Sequence, residues 1–301
     1  MTEKTPHSFD ILSDNRDYWW SPDYLALLAE RYRFHEVESM LDVGCGMSHW
    51  GHLLVPHLSP DAQVYGIDPE RVWVDSSIER ANEKGFGSRA HYQVGRVEAL
   101  PYPNDHFDMV TCQTVLIHVD DLTIAIREML RVLKPGGLFA VAEPNNLAAK
   151  VVLHNLNYRD PVEEIVSQVR FWLYCERGRE ALGRGNFDRG DIIPTHLHRS
   201  GVEDIQVHIS DLAGYLIPPY DTPRERMLLS DLNADLSEYW DDLEHESRKA
   251  YLAGGGTLAL FQKSWDLVIK NRDRLIKGLN DKTLCSTGGF IMYFISGRKP
   301  L

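Results

Sequence analysis

The chain has 301 residues, of which 43% are hydrophobic and 25% are charged, and its formal net charge is −12. A chain of this size and composition can bury a substantial core, as one enlarged domain or as a domain with a cap. The acidic balance argues against a nucleic-acid partner, because a surface that follows phosphates must be basic, although a local basic groove is compatible with it.

Two features bear on location. The N-terminal stretch MTEKTPHSFD contains no apolar signal region, and apolar runs such as GFIMYFI are too short to span a bilayer. The four cysteines, Cys45, Cys112, Cys175 and Cys285, lie far apart without metal-ligand spacing, which favours free thiols. We therefore expect a cytoplasmic protein with no membrane segment and no metal site.

Residues 1–38 predict a helical lead ahead of the first strand. Short apolar runs then alternate with helical segments from Ser39 to Glu143. Strands are expected in SMLDVG, QVYGID, HYQVG, FDMVTCQ and LFAVAE. The segment LTIAIREMLRVL has helical spacing, and the following KPGG is expected to end that helix. Such alternation predicts a parallel sheet with helices on both faces.

The regular alternation is lost after Glu143. Two long helical segments are expected, at residues 146–190 and 215–287, separated by a short helix in IIPTHLHRSG and a strand in DIQVHIS. GGFIMYFISGR predicts a last core strand. We therefore expect an α/β core made of residues 39–145, 191–214 and 288–301, with the two helical segments as insertions that form a cap.

The turn in SMLDVGCGMSHWG narrows the choice of ligand. A dinucleotide fingerprint needs a third glycine where this chain has His49, and a P-loop needs a Gly-Lys-Ser/Thr ending that is absent. What precedes the two glycines, Gly44 and Gly46, is the carboxylate of Asp42. This acid would repel a pyrophosphate and attract an ammonium group.

A second acid follows at a characteristic distance. Asp68 ends the predicted strand QVYGID, about twenty residues after the glycine turn, where open α/β sheets hold a ribose diol. A carboxylate can accept hydrogen bonds from both ribose hydroxyls. A ligand with a ribose and a cationic amino-acid end satisfies both acids, and S-adenosylmethionine fits that description.

On the basis of these residues, the chain resembles the class I S-adenosylmethionine-dependent methyltransferases. Within them it resembles the broad group that acts mostly on small molecules. LDVGCG resembles the first motif of that family, GIDPE its ribose-binding acid, VEALPYPNDHFDMV its adenine-side segment, and MLRVLKPGGLFAVAEP the turn into the fifth strand. The resemblance extends from Tyr18 to about Gln206 and includes the final strand, but the two insertions are unmatched. It implies a Rossmann-like sheet, mostly parallel with an antiparallel last strand, and S-adenosylhomocysteine as product.

The resemblance also assigns residues to the cofactor. The glycine turn faces the methionine end, the acid after the second strand holds the ribose, the segment after the third strand lines the adenine, and the end of the fourth strand lies near the methyl group. An aromatic residue of the lead closes the site. These residues are Tyr24, Asp42, Gly44, Gly46, Asp68, Pro69, Val97, Glu98, Gln113 and Thr114.

One position departs from the family. Many relatives have an aspartate just before the adenine segment, whereas this chain has Arg96. An arginine cannot accept a hydrogen bond from the adenine amino group. That contact must come from another residue or be missing.

The chemistry of methyl transfer does not by itself identify a catalytic residue. Alignment of the reactants and exclusion of water can supply much of the acceleration, and a base is needed only if the acceptor loses a proton early. His118, after the fourth strand, is a candidate base, or it orients its loop. Glu143, after the fifth strand, is a candidate for holding a polar group of the acceptor, or it has a structural role.

We therefore expect a methyltransferase whose small-molecule acceptor binds between the carboxyl edge of the sheet and the insertions. A protein or RNA methyltransferase with the insertions as its docking surface is an alternative. A non-catalytic S-adenosylmethionine-binding module and a nicotinamide oxidoreductase are others. The sequence names neither the acceptor nor an oligomeric state.

Overall fold

The computed structural model describes residues 14–150, 153–237, 240–288 and 291–301. The first thirteen residues of the predicted lead and residues 289–290 of the predicted last strand lie outside the described ranges. Within them the strands are β1 (Ser39–Val43), β2 (Gln63–Asp68), β3 (Ala90–Val94), β4 (Phe107–Gln113), β5 (Leu133–Asn145), β6 (Glu203–Ile209) and β7 (Ile291–Arg298). The α-helices are α1 (Pro22–Tyr32), α2 (His49–Leu54), α3 (Arg71–Glu83), α4 (Leu122–Val132), α5 (Asn146–Lys150), α6 (Val162–Ala181), α7 (Ile193–Arg199), α8 (Pro223–Ser237), α9 (Trp240–Ala253) and α10 (Leu258–Asn280).

All of these strands belong to one sheet, in the order β3-β2-β1-β4-β5-β7-β6. The pairs β1–β2, β1–β4, β2–β3 and β4–β5 are parallel, and β6–β7 is antiparallel. The predicted fold class, a mostly parallel Rossmann-like sheet with an antiparallel end, is confirmed. Because the strand order runs outward from β1 and β4 in opposite directions, the loops after these two strands meet at the topological switch point. Open α/β sheets bind their ligands there.

The central strands are covered on both faces. Met40, Leu41, Met109 and Val110 are completely buried, which explains why these central positions of β1 and β4 are apolar. The buried polar residue of β1 is Asp42, which is only 1% exposed. A carboxylate in this position requires hydrogen-bonding or charged partners. Because such a residue does not stabilise the core, it suggests a functional role for the end of β1.

Helix α4 packs one face against the core of the sheet. Its N-cap is Asp121, whose carboxylate accepts the backbone N–H groups of Thr123 and Ile124. Ala125, Ile126, Met129 and Leu130 recur at helical spacing and are buried in the main core cluster. The predicted helix in LTIAIREMLRVL therefore forms, and it ends at Val132.

The predicted turn KPGG forms part of strand β5 and is not a separate loop. Strand β5 begins at Leu133, directly after α4, and runs through Pro135 and both glycines. Its pairing with β4 shifts in this stretch, from Phe107–Leu133 to Met109–Leu138. Gly136 has φ +72°, so a left-handed residue inside a bulge takes the place of a turn between two elements.

The chain divides into two compact units. Unit 1 comprises residues 1–143, 190–212 and 292–301, and it contains most of the sheet. Unit 2 comprises residues 144–189 and 213–291 and is mainly helical. No helix within the described ranges has the length and apolar character needed to cross a bilayer. That unit 2 carries acceptor specificity stays a prediction.

Unit 2 has an aromatic core and an unusually close helix contact. Phe171, Tyr251, Phe261 and Trp265 are buried against one another between α6, α9 and α10. A Cβ atom placed on Gly178 of α6 would lie 1.6 Å from the carbonyl oxygen of Ala250 in α9. The two helices therefore approach each other backbone to backbone, and only glycine permits this.

Replacement of Gly178 by alanine tests this contact. In an ordinary helix interior Gly→Ala stabilises by up to about 1 kcal/mol, but here the added methyl group must push α9 away, which costs about 1–3 kcal/mol. We expect Gly178→Ala to lower the free energy of unfolding, measured by chemical denaturation followed by tryptophan fluorescence. Arg177→Ala, on the exposed side of α6, is the matched control and should be nearly neutral; a stabilised Gly178→Ala protein would contradict the close approach.

Candidate functional site

The glycine turn after β1 adopts the left-handed conformation that its sequence permits. Gly44 has φ +63° and Gly46 has φ +52°. A Cβ atom on Gly44 would lie 2.6 Å from a methyl group of Val115, which follows β4. Gly44 therefore lets the loops after the two central strands pack directly against each other.

Asp42 lies in β1, two residues before the first glycine of this turn. Its Oδ2 accepts the backbone N–H of Gly51 in α2 at 3.1 Å, and a Cβ on Gly51 would come within 2.8 Å of that oxygen. Burial, together with the nearby charge of Asp68, raises the pKa of Asp42 to about 8. The ionised form of this acid is thus disfavoured until a cation comes close.

Asp68 joins the ends of the first two strands. Its Oδ2 accepts the backbone N–H of Gly46 at 2.9 Å, and its Oδ1 accepts that of Glu70 at 2.9 Å. A carboxylate oxygen has two lone pairs and can accept more than one hydrogen bond. The neighbouring residue in the predicted set, Pro69, is exposed.

The predicted adenine segment begins beside Asp68, because the N–H of Gly95 donates to the Asp68 carbonyl oxygen at 3.0 Å. Val97 is buried, whereas the side chain of Arg96 is 70% exposed and lies 3.3 Å from the carboxylate of Glu98. An exposed pair of this kind adds little stability. At the position where many relatives have an aspartate, this chain therefore has an exposed guanidinium. It pairs with Glu98, which is one of the residues expected to line the adenine.

The end of β4 is held by residues from the lead. The indole N–H of Trp20 donates to Oε1 of Gln113 at 3.1 Å, and the guanidinium of Arg16 donates to Oγ1 of Thr114 at 3.1 Å. Thr114 has φ +55°, an uncommon conformation for a β-branched residue. The residue expected to lie near the methyl group therefore has a strained backbone.

Sequence reasoning missed the short 3₁₀ helix Asp14–Tyr18. In addition to the Arg16 contact, Asp17 binds Nδ1 of His49 at 2.7 Å, so the residue that replaces the third glycine of a dinucleotide fingerprint attaches the lead to α2. Burial tends to raise the pKa of Asp17, but the bond to His49 and the charges of Arg80 and Lys84 outweigh it and lower the pKa. The charged stretch DNRDY, directly before Trp19 and Trp20, was the available signal in the sequence.

Glu143 is completely buried at the end of β5. Its Oε1 accepts the backbone N–H groups of Val115 and Leu116 at 2.8 Å each, and the thiol of Cys112 lies 3.5 Å away. Its Oε2 has no hydrogen-bond partner among the described residues. Burial raises the pKa of Glu143 to about 7, in opposition to these hydrogen bonds. One oxygen thus positions the loop after β4, while the other can bind a further group.

Arg16 brings a positive charge to the same region. Burial lowers the pKa of this guanidinium to about 10, an effect that the charge of Glu143 opposes. The guanidinium carbon also lies 4.9 Å from the centre of the Trp19 ring. A buried carboxyl group and a half-buried cation therefore flank the loop that begins at Thr114.

Two further residues predicted for the site, His118 and Tyr24, take no part in the contacts described above. His118 is exposed, with its backbone N–H bonded to the carbonyl oxygen of Val115. The hydroxyl of Tyr24 donates to the carbonyl oxygen of Ile209 in β6, and its ring stacks on Trp20 at 6.0 Å. The contacts of Tyr24 thus attach α1 to β6, and its part in closing the site stays a prediction.

Contacts link the loops of five strands at the carboxyl edge: Asp68 binds Gly46, Gly95 binds the backbone of Asp68, Gly44 touches Val115, and Val115 binds Glu143. Within the described part of the chain, no group of three or more His, Cys, Asp or Glu side chains could hold a metal ion. The donor set combines two acids, polar backbone and buried aromatics. It suits an organic ligand with hydroxyl groups and a positive charge.

A family model described as a methyltransferase domain matches residues 34–188. The uncharacterised methyltransferase YcgJ of Bacillus subtilis is 29% identical over 178 residues, which are 57% of this chain and 68% of that protein. A demethylmenaquinone methyltransferase of Anoxybacillus flavithermus is 32% identical over 127 residues, 42% of this chain and 52% of that enzyme. The matched region thus spans about half to two thirds of these relatives.

Solved structures extend the likeness in fold. The crystal structure of YcgJ has a TM-score of 0.51 and 18% identity, and it covers 93% of this chain and all of that chain. The crystal structure of SpnF, described as a [4+2]-cyclase, has a TM-score of 0.53 and 19% identity, covering 93% of this chain and 81% of the other. At these identities the likeness shows the fold alone, because one fold hosts different reactions.

The pKa of Glu143 leads to a prediction about stability. Since its pKa is about 7 in the folded protein and 4.5 ordinarily, the folded state holds this proton more tightly than the unfolded chain. The contribution is complete below about pH 4.5 and is lost as the pH rises through about 7. Glu143→Gln keeps an acceptor oxygen but cannot ionise. We expect the melting temperature of the wild type, relative to that of Glu143→Gln, to fall between pH 4.5 and 7.5.

Parallel melting curves for the two proteins over this range would show that Glu143 does not titrate there. Glu143→Ala provides the comparison for the structural role of the carboxyl group. It leaves the N–H groups of Val115 and Leu116 without their acceptor and should be destabilised at every pH, by about 1–3 kcal/mol for each donor that stays unpaired.

Proposed function

This chain belongs to the class I S-adenosylmethionine-dependent methyltransferases, and we propose that it transfers a methyl group to a small-molecule acceptor. The observation that carries the proposal is the hydrogen bond between Asp68 and the N–H of Gly46. This bond brings the acid expected to hold the ribose next to the turn expected to hold the methionine end. The same edge of the sheet carries the buried carboxyl group of Glu143.

The residues present fit S-adenosylmethionine electrostatically. Asp42 and Asp68 are both buried, and the charge of Asp68 contributes to the raised pKa of Asp42. Two adjacent buried acids are unfavourable unless a cation or hydrogen-bond donors neutralise them. In our proposal the methionine ammonium faces Asp42, and the ribose hydroxyls donate to the carboxylate of Asp68.

The adenine and methyl ends of the cofactor are assigned in the same way. We propose that Val97 and Glu98 line the adenine and that Gln113 and Thr114 lie near the methyl group. The contacts of Gln113 with Trp20 and of Thr114 with Arg16 support this assignment, because they hold the end of β4 in one conformation.

When bound, the cofactor supplies an electrophilic methyl group on a sulfonium. The protein then has to align the acceptor and keep water out. We propose that Glu143 holds the loop after β4 through Oε1 and accepts a proton or hydrogen bond from the acceptor through Oε2. The exposure of His118 makes Glu143 the better-placed base, since a dry site strengthens every polar contact.

A small-molecule acceptor is supported by the relative named demethylmenaquinone methyltransferase. The net charge of −12 argues against RNA as the acceptor, because RNA binding depends on basic contacts to phosphates. The four cysteines are free thiols, three of them buried, and this supports our proposal of a reducing, cytoplasmic location.

The ribose role of Asp68 is tested by Asp68→Ala. Hydrogen bonds to a charged group contribute about 1.5–3 kcal/mol, so we expect the affinity for S-adenosylhomocysteine to fall at least about tenfold, measured by isothermal titration calorimetry. Asp75→Ala removes an exposed acid of the following helix and controls for net charge. Because Asp68 also binds two backbone N–H groups, the melting temperature of the free variant must be measured too. Unchanged affinity in a folded variant would refute the assignment.

The acceptor class is tested with methyl-labelled S-adenosylmethionine, the purified protein and a fractionated extract of the source cells. We expect label in the small-molecule fraction, where mass spectrometry identifies the product, and much less label with Asp68→Ala. Label in protein or RNA would overturn the small-molecule proposal in favour of a macromolecular acceptor. Cofactor binding without label in any fraction would favour a non-catalytic binding module.

A further inference from the structure

Unit 2 contains a cavity that is open to solvent and has a volume of about 380 Å³. Nine residues line it, from segments 153–158, 215–217 and 285–287. The largest of them are the apolar or aromatic side chains of Leu153, Tyr158, Tyr215 and Ile217, each of which is exposed by 40% or more. Apolar surface of this kind, gathered around one concavity, is typical of a ligand site rather than of scattered surface residues.

Hydrogen bonds join the chain segments that line the cavity. Leu216 and Ser286 exchange two backbone hydrogen bonds, of 2.8 and 2.9 Å. The side chain of Asn155 accepts the N–H of Cys285 at 2.8 Å and donates to the carbonyl oxygen of Thr283 at 2.7 Å. The three lining segments are therefore joined to one another by hydrogen bonds, so the cavity is preformed and needs no ligand to assemble it.

A buried cluster supports the same segments from within. Leu216, Tyr220 and Leu284 are buried together, and the hydroxyl of Tyr220 donates to the carbonyl oxygen of Leu284 at 2.9 Å. Because Leu216 and Leu284 adjoin lining residues in the chain, this cluster holds the cavity walls in place.

The polar character of the cavity restricts its ligand. None of the nine lining residues is an Asp, Glu, Lys or Arg. Nδ1 of His154 accepts the N–H of Leu156 at 3.2 Å, which leaves Nε2 as the protonated, donating nitrogen of a neutral ring. Burial, with the charge of Arg274, lowers the pKa of His154 and keeps the ring neutral. The cavity therefore offers apolar contact and a donor, without a charge to pair with an ion.

We propose that this cavity binds a neutral, largely apolar ring compound that carries a hydroxyl or carbonyl oxygen. Ligand sites of proteins are clefts or cavities of about 300–1,000 Å³, so the volume of about 380 Å³ suits a small compound of about two fused rings. Neither an anion nor a cation would find an opposite charge among the lining residues. The proposal is independent of methyl transfer, since every residue that carries it lies in unit 2.

The rate at which Cys285 is chemically modified can report ligand binding in the cavity. It lines the cavity and is exposed, whereas Cys45, Cys112 and Cys175 are buried. Brief treatment of the folded protein with N-ethylmaleimide should therefore modify Cys285 first, as followed by intact mass. Cys285→Ser should abolish this rapid modification and verify that the reporter is specific.

The test compares 2-naphthol with 2-naphthalenesulfonate, a charged compound of similar shape. We expect 2-naphthol at ten times its dissociation constant to slow the modification of Cys285 about tenfold, because only the free protein then reacts. The sulfonate should leave the rate unchanged at the same concentration. Equal protection by both compounds, or by neither, would overturn the proposal.

A pair of variants assigns the protection to the cavity. Ile217→Lys places a charge at the cavity wall and should remove protection by 2-naphthol, and the exposure of Ile217 keeps the effect on folding small. Val162→Lys changes another exposed apolar residue of unit 2, which does not line the cavity, and should leave protection intact. Protection that persists in Ile217→Lys would place the probe elsewhere and refute the site.

Because protection is measured without cofactor, failure of methyl transfer and failure of the cavity proposal are seen separately.

Discussion

The hydrogen bond from the N–H of Gly46 to the carboxylate of Asp68 is the contact on which the site depends. It fixes the end of β2 to the turn after β1, and it requires a backbone that bends where β1 stops. Gly44 continues the connection by packing against Val115, and Glu143 completes it by accepting the N–H of Val115. Four strand ends are thus coupled through single contacts, so the site has little freedom to change one loop alone.

Much of this arrangement could be predicted because its causes are local. The strands β1, β2 and β4 are short segments rich in buried apolar residues, a pattern typical of core strands, and Gly44 and Gly46 lie where the turn needs left-handed residues. Asp42 and Asp68 stood out because they are acids at the ends of buried strands. A spacing rule and the chemistry of carboxylates were then sufficient to suggest the kind of ligand.

The contacts that could not be predicted join residues far apart in the chain. Arg16 reaches Thr114 across 98 positions, and Asp17 reaches His49 across 32. Neither residue belongs to a periodic pattern, so nothing local indicates its partner. The role of Glu143 was ambiguous for a similar reason: its position after β5 was evident, but the two N–H groups that it accepts become neighbours only in the folded sheet. The bulge at Gly136 depends equally on the partner strand.

The position of β7 has a consequence for the order in which the chain can fold. β7 lies between β5 and β6 in the sheet, yet in the chain it follows the long second segment of unit 2. A nascent chain emerges from the ribosome N-terminus first, so β6, with Ile205, Val207 and Ile209, is made well before its hydrogen-bonding partner. Until β7 arrives, the edges of β5 and β6 both stay open to pairing with other strands. While translation passes through residues 213–291, these open edges therefore favour aggregation.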